Sequence, residues 1–126
     1  MAWKFAADAP IYLQTAEIIR LRILTGDYPP GTYIPSVREL AQEAAVNPNT
    51  MQKALATLES TGLLTTHRNT GRQVTESQDL IRMLRIEQAR AYVQSCRQQL
   101  VTLGFSSEEI TSLFSHWSGE STLKKE

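Results

Sequence analysis

Apolar residues recur along this chain at helical spacing in five places. Ile11, Ile18, Ile19, Leu21, Ile23 and Leu24 supply the bulk of a helix expected over 11–25. Pro10 suits its first turn, where a missing N–H costs nothing, and Gly26 stops it. The stretch "DYPPGTYIP" at 27–35 holds three prolines and a glycine and is no helix. Ser36 and Glu39 form a capping box. Val37, Leu40, Ala41 and Ala44 then follow the i, i+3, i+4, i+7 pattern of a helix with one buried face. Asn47 is a good N-cap, Pro48 takes the first helical position, and Met51, Ala54, Leu55 and Leu58 repeat the pattern up to Gly62. Two short helices joined around Val46 make a helix-turn-helix layout.

The period changes in "LLTTHRNTGRQVT", residues 63–75, which is rich in β-branched residues and broken at Asn69-Thr70-Gly71. It predicts a hairpin with its turn at 69–71, in the position of a wing. A long helix follows over about 78–103, with Leu80, Leu84, Ala91, Cys96, Leu100 and Leu103 on one broad face, ending at Gly104. Ser106 and Glu109 make a second capping box. Ile110, Leu113, Phe114 and Trp117 form the last stripe, which Gly119 closes. The expected fold is mainly α, with a winged helix-turn-helix of three helices plus a β-hairpin over 1–75. A two-helix dimerisation lobe over 76–120 and a flexible tail over 121–126 complete it.

Composition narrows the class. The 41% hydrophobic and 21% charged content is that of an ordinary soluble domain. No apolar run approaches the roughly 20 residues that span a bilayer, and no signal peptide opens the chain, so a cytoplasmic protein without membrane contact is expected. A single cysteine, Cys96, excludes an internal disulfide. Thirteen Lys+Arg balance thirteen Asp+Glu, which weighs against a generally basic nucleic-acid binder. The distribution matters more. From Ala44 to Leu58 the only charge is Lys53, and from Ser60 to Thr75 there is no acid, while His67, Arg68 and Arg72 are present.

The helix from Asn47 therefore opens without the carboxylate that the macrodipole favours there. On a wheel of about 100° per residue, Asn49, Lys53 and Ala56 point away from the apolar face, with Gln52 on the flank. Amides can pair with adenine edges in the major groove, and lysine can reach guanine or phosphate. The free N–H groups of the helix start suit a phosphate. A plain solvent-exposed amphipathic helix presents the same face, so this helix does not choose alone. Arg68 and Arg72 flank the hairpin tip, where a cation can follow a DNA backbone or enter a minor groove. An ordinary polar hairpin also carries arginine.

The segments "PIYLQ", "PPGTYIPSVRELA", "VNPNTMQKAL" and "LESTGLL" occur in order between Pro10 and Val74. Together this stretch resembles the winged helix-turn-helix domain of the GntR family of bacterial transcriptional regulators. The resemblance places DNA contacts on Arg38, the arginine of the P-S-x-R motif. It places others on Asn47, Asn49 and Thr50 at the helix start, on Gln52 and Lys53, and on Arg68 and Asn69 of the wing; Gly71 and Arg72 of the hairpin complete the expected contact set. The family wing reads Gly-x-Gly-x-aromatic-Val, whereas this chain has Asn69, Gly71 and Gln73, so one glycine and the aromatic are missing. Asn tolerates positive φ.

The C-terminal part, through "LGFSSEEI" at 103–110, resembles the YtrA-type branch, which implies a homodimer. The 50 residues after Glu76 are too few for the ligand-binding or aminotransferase-like domains of larger members. A two-helix hairpin cannot bury both apolar faces by itself, so Leu80, Leu84, Ala91, Leu100, Leu113, Phe114 and Trp117 are the expected dimer contacts.

The expected function is sequence-specific binding of double-stranded DNA as a homodimer on an inverted repeat, giving regulation of transcription, most often repression. The rival is a winged-helix module that docks on protein, which the neutral charge favours. An enzyme comes third, since no acid, base or nucleophile converges. His67, His116 and Cys96 show no metal-ligand spacing, no cofactor is required, and the sequence names no small-molecule effector.

Overall fold

The computed structural model describes residues 2–116. Trp117, Gly119 and the tail at 121–126 lie outside the described residues. Among the described residues, seven elements occur in the order α1 (Ile11–Leu24), α2 (Val37–Ala44), α3 (Pro48–Ser60), β1 (Leu64–His67), β2 (Gly71–Val74), α4 (Gln78–Thr102) and α5 (Ser107–His116). The mainly helical fold with one hairpin is the one the periodicities predict.

Local chemistry sets most boundaries. Ser36 Oγ accepts the Glu39 N–H at 3.1 Å while Glu39 Oε1 accepts the Ser36 N–H at 2.9 Å, closing the capping box of α2. Pro10 is the N-cap of α1. Its φ of −59° is ready for a helix, but its ψ of 137° is still extended. The turn between α2 and α3 is closed by Ala45 at φ 59°, where the Val46 N–H returns to Ala41 O at 3.0 Å. A left-handed alanine costs roughly 1–2 kcal/mol. The packing of both helices on one core outweighs that cost.

The chain divides into two compact units, Met1–Arg85 and Ile86–Glu126. In the first, Ile19, Ile23, Leu40, Met51, Leu55, Leu58, Leu63 and Val74 are all but fully enclosed. The hairpin joins this core through Leu64 and Val74, which face each other at its base. On the other side of β2, the proline-broken segment adds extended backbone. Ile34 N–H donates to Arg72 O, Val74 N–H to Thr32 O and Gly31 N–H to Val74 O, so residues 31–34 brace the wing.

The first unit also takes in the start of α4, past the boundary expected at residue 75. Ile81 is buried, and Leu80 and Leu84 pack on the core. Arg85 Nη1 donates to the Leu24 carbonyl at 3.3 Å, at the C-terminal end of α1.

The N-terminal segment is fastened to α1 and α2 by one polar cluster. The Trp3 indole N–H donates to Glu43 Oε2 at 3.2 Å, and Arg22 Nη2 donates to the same oxygen at 2.6 Å. The Arg22 guanidinium also lies 4.9 Å from the Trp3 ring centroid and donates to the Tyr28 hydroxyl at 2.7 Å. The Arg22 hydrogen bond holds the Glu43 carboxyl below the usual carboxylate range. Partial burial opposes it and the indole adds to it. A depressed carboxylate contributes stability above its unfolded pKa of about 4.3 and loses it as pH falls through the folded value. Glu43→Gln is therefore expected to lower stability at pH 7, with the gap to the parent closing below about pH 4. Urea melts at pH 7 and pH 3 check this, and a gap of equal size at both would remove Glu43 from the clasp.

Candidate nucleic-acid interface

The exposed face of α3 is set by what its other face must bury. Met51, Ala54, Leu55 and Leu58 turn inward. Asn49, Gln52, Lys53 and Ala56 are left exposed, with Thr50 half-buried. Asn47 caps the helix, its Oδ1 accepting the Asn49 N–H at 2.7 Å, so this oxygen is occupied by the cap. No acidic residue stands in the first turn.

Two exposed cations stand on the neighbouring elements. Arg38 is exposed in the first turn of α2 and Arg68 is exposed at the wing tip. Neither makes an ion pair among the described residues. The tip runs over Arg68, Asn69 and Thr70, one residue earlier than expected, and Gly71 opens β2. Asn69 sits at φ 68° and Gly71 at φ 118°, so the missing family glycine is replaced by an asparagine in the left-handed conformation.

Arg72 does not join the tip. Its Nε bonds Glu59 Oε2 at 3.3 Å, with only 14% of the side chain exposed. The physical reason is strand parity. Val74 is buried, and Arg72, two residues earlier on the same strand, shares its face and turns back toward α3. That alternation was present in the sequence. Arg72 ties the wing to α3, and Arg68 is the wing's outward cation.

Sequence reasoning missed Tyr12. Ile11 and Tyr12, from the first turn of α1, line a shallow cleft together with Asn49, Thr50 and Lys53. The Lys53 Nζ lies 4.0 Å from the Tyr12 ring centroid. No local signal links positions so far apart in the chain.

The second unit presents a different kind of surface. The Ser106–Glu109 capping box forms at 3.2 and 2.9 Å, Arg97 bonds Ser107 Oγ at 2.8 Å, and Ile110 is buried. Along α4 and just past its end, Ile86, Ala89, Val93, Cys96, Leu100 and Leu103 recur at alternating steps of three and four, the spacing of a coiled-coil seam. Only Leu100 is even half-buried. Leu113 and Phe114 of α5 are exposed as well. Of the expected dimer contacts, Leu80 and Leu84 are half-buried and pack against the first unit's core. Ala91 lines an open groove with Gln94, Ser95, Gln98, Gln99, Thr102 and Leu103, whose surface is mainly apolar. Trp117 lies outside the described residues.

A short helix, a tight turn, a second helix with no acid in its first turn, and a hairpin with a cation at its tip define a winged helix-turn-helix DNA-binding domain. The family model described as "Bacterial regulatory proteins, gntR family" matches residues 11–74. With half the chain covered by that match, it belongs to the GntR family and is a transcriptional regulator rather than an enzyme. The HTH-type transcriptional repressor YtrA of Bacillus subtilis (strain 168) is 39% identical over 71 residues, 56% of this chain and 55% of that one. A GntR family transcriptional regulator from Listeria monocytogenes shares the fold with a TM-score of 0.80 and 36% identity, over 88% of this chain and 97% of that one. The AraR DNA-binding domain in complex with operator ORX1 matches with a TM-score of 0.54 and 30% identity, over 60% of this chain and 95% of that one. No described helix is long and apolar enough to cross a membrane.

Proposed function

We propose that the chain is a cytoplasmic repressor that binds an inverted-repeat operator as a homodimer. The exposed residues of α3, with no acid up to Leu58, together with exposed Arg38 and Arg68, which make no ion pair among the described residues, carry this reading. Arg38 and Arg68 hold the phosphate backbone, Asn49 and Gln52 meet base edges, and Thr50 and Lys53 complete the contact. Asn69 and Gly71 shape the wing tip, and Asn47 presents the helix start. One such module covers too little groove for tight specific binding, and a two-fold dimer solves this by reading two half-sites. The open seam from Ile86 to Leu103, with Leu113 and Phe114, is the surface a second copy would cover. Likeness to the YtrA repressor supports repression as the sign of regulation.

Selection of bound sequences from a random DNA library by the full chain is the test. A palindrome should emerge, with half-sites about one helical turn apart or a multiple of it. Affinity should fall steeply with salt as phosphate contacts release counterions. The balanced charge favours the alternative, a protein-docking module. Failure to enrich any sequence, with weak and salt-insensitive binding, would establish that alternative.

The individual roles separate in the same assay. Gln52→Ala is expected to relax preference at one base pair in each half-site. Arg68→Ala should weaken all sequences evenly and flatten the salt slope by about one unit. Identical sequence profiles and salt slopes for the two variants would show the roles to be misassigned.

A further inference from the structure

We infer that Tyr12 is a positioning residue for Lys53, holding its ammonium at the outer edge of α3 so that it meets a DNA phosphate instead of a base. The inference rests on the DNA-binding function proposed above and assigns one of its contacts. A lysine on an exposed helix face has four rotatable bonds and sweeps a wide volume. Here it does not sweep freely, because Nζ stands 4.0 Å from the Tyr12 ring centroid, the geometry of a cation over an aromatic face. The ring belongs to the first turn of α1, so the ammonium is drawn toward the shared cleft of Ile11, Tyr12, Asn49 and Thr50. Lys53 leaves the helix about 100° round from Gln52, and the contact with Tyr12 turns it toward the α1 side. Neither α1 nor α3 has an acidic residue in its first turn, so no first-turn carboxylate of either helix repels a phosphate here. Gln52 and Asn49 remain to face the bases. The general capacity of lysine to reach guanine or phosphate is thereby resolved toward phosphate.

The test compares the full chain with Tyr12→Phe, Tyr12→Leu, Lys53→Met and the double variant Tyr12→Leu/Lys53→Met on a library-selected site across a salt series. Lys53→Met should flatten the plot of log affinity against log salt by about one unit, with base preferences unchanged. Tyr12→Leu should cost about two- to fivefold in the parent and nothing further in the Lys53→Met background. Tyr12→Phe keeps the ring and should bind as the parent does. Without DNA, the Lys53 ε-protons should be shifted upfield by the ring in the parent and in Tyr12→Phe, and lose that shift in Tyr12→Leu. Equal losses from Tyr12→Leu in both backgrounds would overturn the inference. So would Tyr12→Phe behaving like Tyr12→Leu, or a changed base preference in Lys53→Met. DNA binding by the parent that ignores salt would instead bring down the functional proposal and this assignment with it, whatever the ε-protons report.

Discussion

Val93→Asp combined with Leu103→Asp is expected to turn a dimer into a monomer and to cost operator affinity about a hundredfold or more, because linked half-site binding gains on the order of 10²–10⁴ over a single module. Both side chains are more than half exposed in the isolated chain, at 60% and 74%. Acids placed there meet water in the monomer, so the first unit should melt unchanged. In a dimer the same positions would bury four carboxylates in an apolar seam, two from each copy, and an unpaired buried charge is strongly unfavourable. Sedimentation at micromolar concentration reads the assembly, and titration of a palindromic site reads the affinity. A double variant that still sediments as a dimer would remove the Ile86–Leu103 seam from the interface. Leu80 and Leu84 make a contrasting pair. Charges there should destabilise the first unit itself, since both pack on its core. For the same reason a DNA-binding fragment should run to Arg85. One ending near Glu76 would lack Ile81 and leave the core open.

The second large effect lies in the core. Leu55→Ala should cost about 2–5 kcal/mol, the range for a buried leucine truncated in a well-packed interior. For a unit of this size that is a fall in melting temperature of about 10 °C or more. Leu55 is fully enclosed on the inner face of α3, which packs against α1 and α2. Ala56, the next residue, is exposed, and Ala56→Ser should change stability by only about 0.5 kcal/mol or less. Thermal unfolding followed by circular dichroism compares the two. Similar melting temperatures would mean that α3 is not held by this face, and the geometry of its outward residues would lose its basis. DNA binding should fail in Leu55→Ala wherever the first unit is unfolded, and recover on cooling.

Much of the first unit was legible because its signals are local. The capping box of Ser36 and Glu39, the cap at Asn47 with Pro48 behind it, and the inward set Met51, Ala54, Leu55 and Leu58 act within about one turn of helix, the range over which a chain reports on itself. The outward face of α3 follows from that inward set by subtraction. The turn itself was legible, but the left-handed conformation of Ala45 within it was not, because glycine is the usual mark of such a residue and none stands there.

Arg72 shows the intermediate case. Strand alternation was readable, but which face turned inward became plain only once Leu64 and Val74 were seen closing the core. The assignment of α4 was harder still. Leu80, Leu84, Ala91 and Leu100 look alike in a helical pattern, because periodicity says that a side is apolar and not what lies against it. The first unit's core takes Leu80 and Leu84, while Val93 and Leu103 remain open.

The amino-acid sequence by itself thus determined the helices, their caps, the hairpin, the family motifs and the acid-free start of α3, all products of neighbours in the chain. Tertiary structure alone decided the bracing of β2 by residues 31–34, the turning of Arg72 onto Glu59, the division within α4 and the meeting of Tyr12 with Lys53. Those depend on contacts between residues far apart in sequence, whose partners no local period encodes and only the packed core brings together.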